Sequence, residues 1–143
     1  MPEPSDELRD LVGRVELEDL SFVELAARRA DGAASGSDEV TPQYTLNAEH
    51  GEDGRHFRLT LSIEIDTAVG SVKAAAAASY LVECAPDDPP SRRVVVEYAN
   101  EVGVMALLPY LRHAIADLTL RVFGSALLMP VMPRGAVVFP LPD

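Results

Sequence analysis

The stretch from Val104 to Val131, VMALLPYLRHAIADLTLRVFGSALLMPV, constrains the fold of this 143-residue chain more than any other part of it. Val104, Leu108, Leu111, Ile115, Leu118 and Val122 recur at alternating spacings of four and three, the seam of a helix packed on another surface. Met105, Leu107, Tyr110, Ala114, Leu120 and Phe123 cover much of the remaining circumference, leaving Arg112, His113, Asp117, Thr119 and Arg121 as the polar side. One small subunit exposing that helix would carry a large apolar patch, so the seam is expected at an oligomer interface, shared between the chain's own sheet and a second copy. Pro109 predicts either a helix start near Ala106 or a kink. Beyond Gly124, the spacing of Pro130, Pro133, Pro140 and Pro142 excludes helix and predicts an extended arm.

Upstream the periodicity changes from helical to alternating. Phe57, Leu59, Leu61, Ile63 and Ile65 alternate without fault against polar neighbours, which predicts a strand with one dry and one wet face. Tyr44, Leu46 and Ala48 predict a strand before it, across the glycine-containing turn at 50–54. Val15 and Leu17 share one parity and Leu20 and Phe22 the other, so a bulge is expected at Glu18 or Asp19. Val72 to Cys84 contains Ala74 to Ala78, whose intrinsic preference is helical. The turn at Val69-Gly70-Ser71 and the Tyr80-Leu81-Val82 finish predict a fourth antiparallel strand instead. Ala30 to Asp38 reads as a flexible loop, and a short helix from Ser91 would place Arg93 and Glu97 within pairing distance before Gly103 interrupts it.

Composition narrows the function. Twelve basic against 23 acidic side chains give a net charge of −11, which disfavours phosphate backbones, so nucleic acid is not an expected partner. Such acidity suits a protein that displays apolar surface while its copies repel one another. Cys84 is the sole cysteine, which excludes an internal disulfide and reads as a small buried residue. The acidic, proline-containing start does not resemble a signal peptide, and no uninterrupted apolar run predicts a membrane span, so a cytoplasmic protein without membrane insertion is expected.

Catalytic and metal chemistry find little support. His50 and His56 flank a turn with Glu49, Glu52 and Asp53, a pattern better explained by solvated side chains than by ligands. His113 and Asp117 stand four apart on the long helix and within pairing reach, yet no nucleophile or phosphate-loop motif accompanies them. No catalytic residue, no metal site and no cofactor is expected.

Leu108-Pro109-Tyr110-Leu111-Arg112, then Ile115, Asp117-Leu118 and Arg121, then Leu127-Leu128-Met129-Pro130-Val131, resemble the long helix and proline-containing exit of the SecB export-chaperone family. Glu18-Asp19-Leu20-Ser21-Phe22 is similar to that family's first strand. The resemblance spans roughly residues 14–133. It implies an α+β fold with a four-stranded antiparallel sheet, a long C-terminal helix at the subunit interface and here an extended Pro-rich arm, in a homotetramer built as a dimer of dimers. The expected division is a flexible acidic N-terminus over 1–12, a SecB-like domain over 13–133 and a tail over 134–143.

The function implied is that of an ATP-independent holdase for unfolded polypeptides or preproteins. Its client-binding grooves would draw on Leu20, Phe22, Tyr44, Leu46, Tyr110, Phe123, Leu127, Leu128 and Met129, with Met132 adding adaptable surface. Asp19 and Glu24 would be contacts to the export motor SecA, although Ala74 to Ala78 stand where the family carries a further acid. The chain also lacks the family's last helix and its basic or metal-binding tail. In this it resembles the SecB-like chaperones attached to toxin–antitoxin systems, which makes a dedicated chaperone of an antitoxin the alternative. A scaffold or ligand-binding protein on the same fold is the remaining reading, one that a closed tetramer with its grooves filled by the chain's own Pro-rich end would favour.

Overall fold

The computed structural model describes residues 4–30, 41–83, 89–130, 133 and 135–142. Cys84, Val131, Met132 and the loop over 31–38 therefore lie outside the described residues. Strands β1 (Val15–Arg29), β2 (Gln43–His50), β3 (His56–Thr67) and β4 (Gly70–Val82) form one antiparallel sheet in the order β1-β4-β3-β2. The dry row expected on β3 is buried throughout, and Val72, Ala74, Ala76, Ala78 and Tyr80 of β4 lie beside it on the same face.

The alanine run is strand because β4 is central. Its backbone is paired on both sides, with β1 and with β3, and two hydrogen-bonded ladders override a helical preference worth a few tenths of a kcal/mol per residue at most. Thr67 closes the β3–β4 turn, its hydroxyl accepting from the backbone N–H of Val69 (3.1 Å) and of Gly70 (3.2 Å). Gly70 is required by crowding: a Cβ there would run into the Arg28 carbonyl oxygen and stand 2.7 Å from Phe123 Cε1.

Strand β1 carries the expected bulge, between Leu17 and Asp19, and a second one between Phe22 and Glu24. The first brings Val15, Leu17, Leu20 and Phe22 onto the dry face, opposite Val82, Tyr80, Ala78 and Ala76; the second keeps Leu25 there, opposite Ala74. Because β1 is an edge strand, Leu17, Phe22 and Leu25 stay exposed.

Helix α2 (Arg92–Tyr98), a π turn (Ala99–Gly103) and helix α3 (Val104–Phe123) form one continuous 32-residue helix across the dry face. Gly103 does not interrupt it. At the glycine the helix lies close against β3, where a Cβ would stand 2.7 Å from Leu59 Cδ1. Pro109 lies inside α3, past its first turn, so a helix starting near Ala106 is ruled out. The left-handed Gly124 (φ 84°) ends α3. By length and mean hydropathy of 1.3 this helix could cross a membrane, contrary to expectation, but it serves as the core helix over the sheet.

Two further expectations change here. Val104, Leu108, Leu111 and Ile115 are buried within the single chain, with Leu111 and Ile115 at 0 % exposure, so this part of the seam is core and not oligomer interface. Only Leu118 and Val122 stay half-buried. The small residues of β4 let the helix settle deeply enough for the chain's own sheet to cover the seam. The N-terminus is likewise ordered over residues 6–12 as helix α1 (Asp6–Val12), capped by Ser5, with Leu8 and Leu11 buried. Glu97 binds that cap, accepting from Ser5 N–H (3.0 Å) and Oγ (2.8 Å), and is the reason it does not pair with Arg93.

Candidate peptide-binding groove

After Gly124 the chain turns back and runs antiparallel to the long helix. The Leu127 N–H donates to Thr119 Oγ1 (2.7 Å), Arg112 Nε donates to the Met129 carbonyl (3.4 Å), and Arg93 Nη1 donates to the Pro142 carbonyl (3.2 Å). Between the last two, Asn100 makes a two-point clamp: its Oδ1 accepts from Phe139 N–H (2.8 Å) and its Nδ2 donates to the Phe139 carbonyl (2.9 Å). As the arm climbs from 127 to 142 its partners descend from 119 to 93.

The arm's end lies in a groove between α2 and β2. Leu46 and Ala48 of β2 and Arg92 and Val96 of α2 line it, together with Phe139, Pro140, Leu141 and Pro142. β2 is an edge strand, so one wall is a row of apolar side chains beside an unpaired backbone edge. Phe139 and Leu46 are half-buried and pack on the core, as does Tyr44, whose hydroxyl pKa is raised by burial.

The sequence candidates for client binding divide between this groove and other places. Tyr44 and Leu46 stand on the groove's strand. Leu127, Leu128 and Met129 belong to the returning arm: Met129 is buried and is a core residue, whereas Leu128 is 78 % exposed. Leu20 and Phe22 are on β1, at the opposite edge of the sheet. Tyr110 is exposed and, nine residues before Thr119 on a 3.6-residue helix, lies on the far side from the arm. Phe123 is half-buried against the β3–β4 turn at Gly70. Asn100 was not singled out from the sequence; no local pattern marks a side chain whose partner is 39 residues away.

Asp19 and Glu24 lie together on the wet face of the sheet, opposite Ser79 and Ala75, because the second bulge restores their common parity. Glu24 is paired with Lys73 (3.1 Å), which raises the lysine pKa. His56 sits between two carboxylates, with Nδ1 2.7 Å from Asp53 Oδ2 and Nε2 3.0 Å from Glu18 Oε1, the bulged residue. The Arg55 backbone N–H first, and His56 after it, lower the Asp53 pKa. Asp117 pairs with Arg121 (3.0 Å) in place of the expected His113. No cluster able to hold a metal occurs among the described residues.

No family model matches the chain. In sequence it is similar to the SecB-like chaperone SmegB of Mycolicibacterium smegmatis, 26 % identical over 132 residues that span 92 % of this chain and 85 % of that protein. In fold it is similar to the Mycobacterium tuberculosis SecB-like chaperone Rv1957, solved in complex with a ChAD peptide from the Rv1956 HigA1 antitoxin. That match has a TM-score of 0.75 at 18 % identity and covers 90 % of this chain and 96 % of the other. The sheet and its long C-terminal helix are SecB-like, and the resemblance read from the sequence is borne out.

Proposed function

We propose that this chain, SecB-like in sequence and fold, is an ATP-independent chaperone that holds unfolded polypeptide in apolar grooves and performs no enzymatic step. The observation that carries the reading is the apolar surface beside the core helix where Leu46 and Ala48 of β2 face Val96 of α2. Each client side chain fully buried there contributes about 1.5–3 kcal/mol, and several weak contacts along one client add through effective concentration. Copies assemble as a homotetramer, a dimer of dimers, with the β1 surface buried between them in place of the α3 seam. The protein works in the cytoplasm, where its net charge of −11 keeps loaded complexes apart.

The test is suppression of aggregation of a chemically denatured model protein on dilution. The reading expects near-complete suppression at a few equivalents of chaperone; no suppression at severalfold excess, together with no binding of the unfolded chain, rejects it.

A second reading makes the chain a dedicated chaperone of an antitoxin. A solved structure of similar fold holds an antitoxin peptide. Measured affinities decide between them: a dedicated chaperone binds one antitoxin tail at least tenfold more tightly than unfolded preproteins. Docking to SecA through Asp19 and Glu24 belongs to the export reading, and reversing both charges would weaken it.

A further inference from the structure

The arm in the β2–α2 groove bears directly on what that groove takes. We infer that Val137–Pro142 is a tethered stand-in for client: the groove receives an extended peptide with an aromatic residue at the Phe139 position, and a client enters by displacing the arm. This rests on the chaperone reading above.

Three observations support it. Four residues of the helix hold the backbone of the arm: Thr119 at Leu127, Arg112 at Met129, Asn100 at Phe139 and Arg93 at Pro142. Asn100, by accepting from the N–H and donating to the C=O of one residue, grips any extended chain whatever its side chain, which is what a receptor for varied sequences needs. Side-chain preference is left to the groove wall of Leu46, Ala48 and Val96, where Phe139 is half-buried and not sealed.

The hold is also built to release. Pro140 and Pro142 have no N–H, and among the described residues no backbone hydrogen bond joins the arm to the edge of β2. The arm thus leaves the β2 edge open, and an incoming client with free amides can make bonds there that the arm does not. A short tether gives an effective concentration on the order of millimolar. That suffices to seat a weak ligand and to exclude weaker ones, while a client with several anchors displaces it.

The experiment uses fluorescein-labelled peptide AVVFPLPD, matching residues 136–143, and unfolded carboxymethylated α-lactalbumin as client. Chain truncated after Gly135 should bind the peptide, with the full chain binding it about tenfold more weakly or worse. Asn100→Ala in the truncated chain should abolish that binding. Client affinity should rise about fivefold or more both on truncation and in the full-length Phe139→Asp variant, which keeps the whole chain but cannot seat its arm. Equal client affinity in the full, truncated and Phe139→Asp chains overturns the inference while leaving the chaperone reading intact. So does a folded truncated chain that ignores the peptide. Peptide binding without client binding to any form overturns both and supports the scaffold reading, in which the arm is a permanent filler.

Discussion

The Thr119 hydroxyl donates to the Ile115 carbonyl (2.7 Å) and accepts from Leu127 N–H (2.7 Å), in a residue with no solvent exposure. Thr119→Val keeps the shape but strands that amide, so unfolding in urea should show a loss of about 1–3 kcal/mol, with Thr119→Ser retaining most of it. The sequence placed Thr119 on the polar side of the helix, whereas the structure buries it and bonds it to the returning arm, which helical periodicity does not register. A second residue-scale prediction concerns Tyr80, stacked on Phe57, and Tyr98, edge-on to both rings, in a cluster with centroid distances of 4.9–5.7 Å. Burial pushes both hydroxyl pKa values up, that of Tyr80 further, with Tyr98 adding to it. Unfolded tyrosine ionises near pH 10, so above that pH the folded state holds more protons than the unfolded one and stability falls as pH rises. The urea midpoint should be level between pH 7 and 9 and drop above pH 10, and Tyr80→Phe should flatten the drop; a drop of equal slope in that variant would assign it elsewhere.

At the scale of elements, the faultless β3, the bulge at Glu18 and the long helix follow from side-chain periodicity, and the alanine-rich β4 from the turn before it and the Tyr80-Leu81-Val82 finish. The destination of the helix seam was not legible, because periodicity marks a buried face without saying whose surface buries it. The second bulge, between Phe22 and Glu24, also lacked a signal, since Val23 and Leu25 are apolar in either register. Pro109 gives an element-scale test. Exposed and past the first turn of α3, it withholds an N–H from the Met105 carbonyl. Pro109→Ala should raise stability by about 1–3 kcal/mol, read from the thermal midpoint; an unchanged midpoint would mean that the helix has already adapted to it.

For the molecule as a whole, the sequence argued association from a seam that proves internal, yet apolar surface remains along β1, where Leu17, Phe22, Val23 and Leu25 are 41–49 % exposed. Light scattering should report about four times the 15.4 kDa chain mass, and a Phe22→Asp, Leu25→Asp double variant should fall to smaller species while keeping its circular dichroism. A full-size tetramer in that variant would move the interface elsewhere. The π turn at Ala99–Gly103 links all these surfaces through angular bookkeeping. One surplus residue in that coil offsets everything beyond it by about 100° of rotation. The stretch facing α1 and the stretch facing β4 are thus set like two gears on a shared axle, out of step by a single tooth, and excising any one residue of the coil would turn one against the other even where every contact residue was preserved.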